Sequence, residues 1–139
     1  MMATALLAWI CHLGNTTPPP IIWSVAGSDS GGGAGIQADM HAAHALGAHL
    51  CTVPTALTAQ NSLSVRAIQH ADLETLRATI DALEEDLPPK AVKLGMLGTA
   101  AIIREVASFV GRFDGPVVCD PVMVTTSGAR LLDEEAAAE

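Results

Sequence analysis

From Ile21 onward, short apolar runs alternate with stretches of helical period. Ile21 to Ala26 is such a run and predicts a strand. Ala34 to Leu46 predicts a helix, with Ile36, Met40 and Ala43 on one face and Gln37, His41 and His44 on another. Leu50 to Ala59 is rich in Thr and Val and predicts an extended segment ending at Gln60-Asn61; Val65 to Ile68 suggests a short strand in the connector that follows. Asp72 stands as an N-cap before the helical stripe Leu73, Leu76, Ile80, Leu83 and Leu87. Pro88-Pro89 stops that helix. Ala91 to Leu94 reads as a short buried strand. Thr99 caps a helix that turns Ile102, Ile103, Val106, Phe109 and Val110 inward. Pro116 to Cys119 is a further strand, and Ser127 to Leu132 leads into a last helix.

Strands alternating with helices predict an α/β fold, a mostly parallel sheet with helices on both faces. Ligands of such sheets bind beyond the carboxyl ends of the strands. The special residues fall there: Asp29 after the first strand, Gln60 and Asn61 after the second, Gly95 and Met96 after the third, Asp120 after the fourth. One pocket is predicted, lined by Gly27, Asp29, Asp39, Gln60, Asn61, Met96, Asp120 and Val122.

Between the first strand and first helix lies Gly27-Ser28-Asp29-Ser30-Gly31-Gly32-Gly33-Ala34-Gly35. A strand, a Gly-rich turn and a helix place backbone N–H groups at a helix N-terminus, where anions and polar ligands bind. Two nucleotide motifs fail here. A P-loop needs a lysine after its last glycine, and no lysine precedes Lys90. A Gly-x-Gly-x-x-Gly fingerprint begun at Gly31 or Gly33 ends on Ile36 or Ala38. A turn that only packs helix on strand and a loop that shapes a pocket both remain open, with Asp29 and Asp39 flanking the glycines in favour of the second. At least one of Gly33 and Gly35 is expected to need a positive φ or to lack room for a Cβ.

Composition narrows the function classes. One domain of 139 residues, half of them hydrophobic, can bury a core. A net charge of −8 without a basic cluster argues against nucleic acid or an anionic membrane as partner. Cys11, Cys51 and Cys119 are too scattered for a disulfide framework or a zinc site and suit a reducing cytoplasm; Cys51 and Cys119 sit in apolar runs and read as buried thiols. His41 and His44 lack a third metal ligand and read as solvent-facing. Residues 1–20 hold a short apolar run and end in Pro18-Pro19-Pro20; they read as an extension outside the fold, too short to span a bilayer and without the basic n-region of a secretory signal. Residues 21–139 then form the folded unit.

The ordered motifs carry a resemblance. Gly27 to Asp39, Ala45-Leu46-Gly47-Ala48, Thr55 to Asn61, Lys93-Leu94-Gly95-Met96-Leu97, Asp120-Pro121-Val122-Met123 and Ser127-Gly128 together resemble the hydroxymethylpyrimidine/phosphomethylpyrimidine kinases of thiamine biosynthesis. The resemblance implies a ribokinase-like α/β fold, truncated after about half of the domain. It implies MgATP-dependent phosphorylation of 4-amino-5-hydroxymethyl-2-methylpyrimidine and then of its monophosphate, with ATP and Mg²⁺ as cofactors. Gln60 matches the residue that reads the aminopyrimidine edge. Met96 and Val122 match the residues that sandwich the ring, and Ala34 and Thr58 match others near it. Asp39 matches a polar position near the hydroxymethyl end. Asp29 and Asp120 are placed to orient substrate or to act near Mg²⁺, although each alone also suits a turn or cap. Met96 alone also suits plain core filling. The family's ATP contacts and its Gly-Thr-Gly-Cys anion loop have no counterpart here, so no catalytic residue is expected in this chain. A non-catalytic aminopyrimidine-binding module or an inactive gene fragment is the alternative. The expected partners are a small pyrimidine and either a second copy or a complementary C-terminal half.

Overall fold

A computed structural model describes residues 18–120 and Val122. Five strands form one sheet: β1 (Ile21–Asp29), β2 (His49–Gln60), β3 (Val65–His70), β4 (Ala91–Leu94) and β5 (Val117–Cys119). Helices α1 (Gly35–Ala45), α2 (Leu73–Asp86) and α3 (Ala100–Val110) connect them. The strand order is β3-β2-β1-β4-β5. β1 lies parallel to β2 and β4, and β4 parallel to β5. β3 runs antiparallel to β2, because only the four residues from Asn61 to Ser64 separate them, enough for a hairpin and too few for a crossover.

Alternation along β1 divides the two faces of the sheet. Trp23 and Val25 face α2 and α3, forming the core with Leu76, Ile80, Ile102, Val106 and Phe109. Trp23 is fully buried, stacks on Phe109 at 5.1 Å between centroids, and donates its Nε1–H to the Leu87 carbonyl at 2.8 Å. Ser24 points to the other face, where α1 packs on β1 and β2. Both expected caps form: Asp72 accepts from the Thr75 N–H and Thr99 from the Ile102 N–H. Ile103 and Val110, expected inside, are only partly buried.

Four further expectations need correction or placement. Pro20, expected in the extension, has its carbonyl accept from the His49 N–H at 3.0 Å, which extends the β1–β2 ladder by one residue. Met40 is 49 % exposed, so Ala43 alone is buried on the apolar face of α1. Cys51 is buried, and burial pushes its thiol pKa up, with Asp86 adding to the effect; Cys119, also expected inside, is exposed on β5. The expected last helix at Ser127 to Leu132 lies outside the described residues, as do residues 1–17. Among the described residues no helix is long and apolar enough to cross a membrane.

Candidate functional site

The glycine-rich loop is wound around one carboxylate. Asp29 Oδ1 accepts the Gly31 N–H at 2.8 Å, and Oδ2 accepts those of Gly33 and Ala34 at 3.0 and 2.9 Å. Three donors that would otherwise lie unpaired are thereby satisfied by a side chain only 7 % exposed. The Asp29 N–H donates to Gln37 Oε1, and Gln37 Nε2 donates to Ser28 Oγ, which ties the first turns of α1 to the end of β1. Gly35 opens α1 with φ +58, and a Cβ there would overlap the Gly27 carbonyl oxygen. Gly33 has no positive φ. The expectation for these two glycines is therefore met at Gly35.

A second local feature aims β2. The β1–β2 register shifts between Ala26 and Gly27, where Ala26 pairs with Pro54 and Gly27 with Ala56. Thr55 is the extra residue. Proline inside a sheet removes a ladder donor and is tolerated at a bulge. Thr55 is fully buried, and its Oγ1 donates to the Met96 carbonyl at 2.6 Å. A one-residue shift exchanges the faces of every later residue. Beyond the bulge Thr58 pairs with Asp29, so Thr58 and Gln60 share its side of the sheet; without it Leu57 and Ala59 would. Leu57 is left 62 % exposed.

The ends of β1, β2 and β4 then enclose a cleft of about 80 Å³. Seven of the expected residues line it: Gly27, Asp29, Ala34, Thr58, Gln60, Met96 and Val122. A neighbouring cavity of about 270 Å³ shares Asp29, Ala34 and Gln60 with it and is lined by Asn61 and the β2–β3 turn. The three other expected residues do not line the cleft, and each makes contacts of its own. Asn61 Oδ1 accepts the Leu63 and Ser64 N–H groups and shapes the hairpin. Asp39 Oδ2 accepts from Ser24 Oγ at 2.6 Å and pairs with Lys93 Nζ at 2.9 Å. Asp120 is exposed beyond β5, and its N–H donates to the Leu94 carbonyl.

Asp29, expected to orient substrate or act near a metal, has both oxygens committed to the loop. Among the described residues no group of three or more His, Cys, Asp or Glu could hold a metal ion. Lys93 lines the cleft and was not expected there. Its signal lay in the sequence as a charged residue inside the apolar strand Ala91 to Leu94.

A parallel α/β sheet with one antiparallel edge and a glycine loop closing a cleft at its strand ends defines a ribokinase-like fold. The family described as phosphomethylpyrimidine kinase matches residues 29–139, and the chain belongs to that family. It is 48 % identical over 118 residues to a hydroxymethylpyrimidine/phosphomethylpyrimidine kinase of Rhizobium meliloti, covering 85 % of this chain and 44 % of that protein. The crystal structure of a phosphomethylpyrimidine kinase from Clostridium difficile superposes with a TM-score of 0.79 at 41 % identity, over 86 % of this chain and 52 % of that one. A pyridoxal kinase from Staphylococcus aureus in complex with pyridoxal superposes at 0.71 with 26 % identity, over 78 % of this chain and 41 % of that one. The chain thus spans about half the length of the relatives it matches.

Proposed function

We propose that this chain supplies the pyrimidine-binding half of an ATP-dependent kinase that phosphorylates 4-amino-5-hydroxymethyl-2-methylpyrimidine and then its monophosphate. The observation that carries this reading is Gln60 and Met96 lining one cleft at the strand ends of a chain of the phosphomethylpyrimidine kinase family. A carboxamide offers donors and an acceptor at once, which suits the amine and ring nitrogen of an aminopyrimidine edge. The hydrogen bonds of Gln60 among the described residues run through its backbone to Ser30, which leaves the carboxamide for a ligand. Met96, packed with Ala56 and Ile68, supplies a polarisable apolar wall for a ring face.

ATP would supply the transferred phosphoryl group: the hydroxymethyl oxygen would bond to the γ-phosphorus as the bond from that phosphorus to the ADP oxygen breaks, and the hydroxyl proton would pass to solvent water. The described residues bind and orient the acceptor, which is where much of such catalysis resides. Calorimetry with the aminopyrimidine alcohol tests the reading. Gln60→Leu should weaken binding by about 1–3 kcal/mol, because polar groups on the ligand are left unpaired. Equal affinity in wild type and variant removes Gln60 from the site, and no binding by wild type overturns the reading.

A second reading is a module that binds the aminopyrimidine without phosphoryl transfer. The 139 residues alone are expected to yield no product from MgATP and the alcohol. Adding the remaining length of a relative separates the two: product formation supports the kinase half, and binding without product supports the module.

A further inference from the structure

We propose that Lys93 is the residue by which this cleft favours a phosphorylated pyrimidine over the neutral alcohol. The proposal rests on the aminopyrimidine reading above and adds an anion-recognising group to it.

Lys93 lies on β4, an interior strand where lysine is uncommon. Its side chain is 28 % exposed, and its ammonium is held 2.9 Å from Asp39 Oδ2. Asp39 is anchored in turn by Ser24, which is fully buried. Three residues from β1, α1 and β4 thus fix the position of one cation. Gly95 leaves the space it occupies: a Cβ there would stand 3.0 Å from Lys93 Nζ and 2.8 Å from the Ala26 Cβ. Asp39 takes one of the three ammonium protons. The other two have no acceptor among the described residues, on a side chain that lines the cleft.

Charge decides what this cation is for. The chain carries a net −8, a field that repels a phosphomonoester of charge up to −2. Lys93 is the cationic side chain among the described residues lining the cleft, and the Asp29 carboxylate beside it is already covered by three N–H donors. A neutral alcohol gains little from such a group. A phosphate gains a charge-assisted hydrogen bond in a partly desolvated site.

The test is calorimetry on the 139-residue chain with the aminopyrimidine alcohol and with its monophosphate, for wild type, Lys93→Met, Lys93→Arg and Asp39→Asn, each checked by thermal melting. Lys93→Met should lose about tenfold or more in monophosphate affinity while the alcohol stays within about twofold. Lys93→Arg should recover most of the loss. Asp39→Asn breaks the same ion pair but frees the cation, so it should bind the monophosphate at least as well as wild type. Raised salt should weaken the monophosphate alone. Equal losses for both ligands in Lys93→Met, no loss for either, or a monophosphate loss in Asp39→Asn matching that of Lys93→Met would each make the pair a structural tie and overturn the proposal. If Lys93→Met does not fold, the Lys93→Arg and Asp39→Asn results carry the same decision. Wild type that binds the alcohol while Lys93 proves indifferent sinks this proposal alone; wild type that binds neither ligand sinks the aminopyrimidine reading and this proposal with it.

Discussion

Gly35 and Gly33 stand two residues apart in the same loop and answer to different constraints. Gly35 combines a positive φ with a Cβ position occupied by the Gly27 carbonyl oxygen. Gly35→Ala should therefore destabilise the protein by about 1–3 kcal/mol. Ligand affinity should fall beyond the loss of folded fraction, since Gly27 and Gly35 both line the cleft. At Gly33 the nearest atom to a Cβ is Asp29 Oδ2 at 3.8 Å, an ordinary contact. Gly33→Ala should be tolerated within about 0.5 kcal/mol. Urea unfolding and a ligand titration on both variants check this. Normal affinity in folded Gly35→Ala would reduce the loop to scaffolding and leave the site to Gln60 and Met96.

At the scale of elements, the caps are where local sequence acts most directly. Thr99→Ala removes the acceptor of the Ile102 N–H at the start of α3 and should cost about 1 kcal/mol. Asp72 caps α2 as a carboxylate, and its hydrogen bond with the Thr75 N–H holds its pKa below the usual aspartate value. A carboxyl lowered in the folded state adds stability above its unfolded pKa and loses it as pH falls through the folded value. Asp72→Ala should thus lower the melting temperature at pH ~7, and by progressively less as pH falls below the usual aspartate range. An effect of Asp72→Ala that stays constant as pH falls would mean the cap acts by shape and not by charge. The bulge at Thr55 is a further device of this scale, because it turns Thr58 and Gln60 into the cleft. Pro54 marked its place, but a proline inside an apolar run does not say which neighbour of the strand the extra residue will oppose.

For the molecule as a whole, Trp23 is the point on which the two layers of the main core meet. It stacks on Phe109 of α3, bonds the Leu87 carbonyl at the end of α2 and sits in the central strand. Trp23→Phe keeps an aromatic ring but leaves that carbonyl without its donor. It should cost about 1–3 kcal/mol in urea unfolding, a large share of the 5–15 kcal/mol that holds a typical domain together. A variant as stable as wild type would show that water replaces the lost donor at Leu87. Two ion pairs tie the same helical layer, Arg77 to Glu105 and Arg112 to Glu84, with both arginine side chains at least half exposed. Exposed pairs of this kind contribute little, so the layer depends on Trp23 and its apolar neighbours.

Local patterning along the chain accounts for the elements, their caps and the strand-end level of the candidate site. Apolar period, Asp72, Thr99 and Pro88-Pro89 act within a turn or two of chain, and the polar residues at the strand ends follow from the α/β alternation. The family's ordered motifs were legible for the same reason, as local strings at Gly27 to Asp39 and Lys93 to Leu97. Which atoms those residues face is set by contacts between distant segments. Asp39 meets Lys93 across 54 positions, and Asp29 turns back on its own loop. β3 adds an antiparallel edge, and β2 changes face at Thr55. Strand register and ion-pair partners are set by contacts between distant segments, whose closure no local pattern encodes.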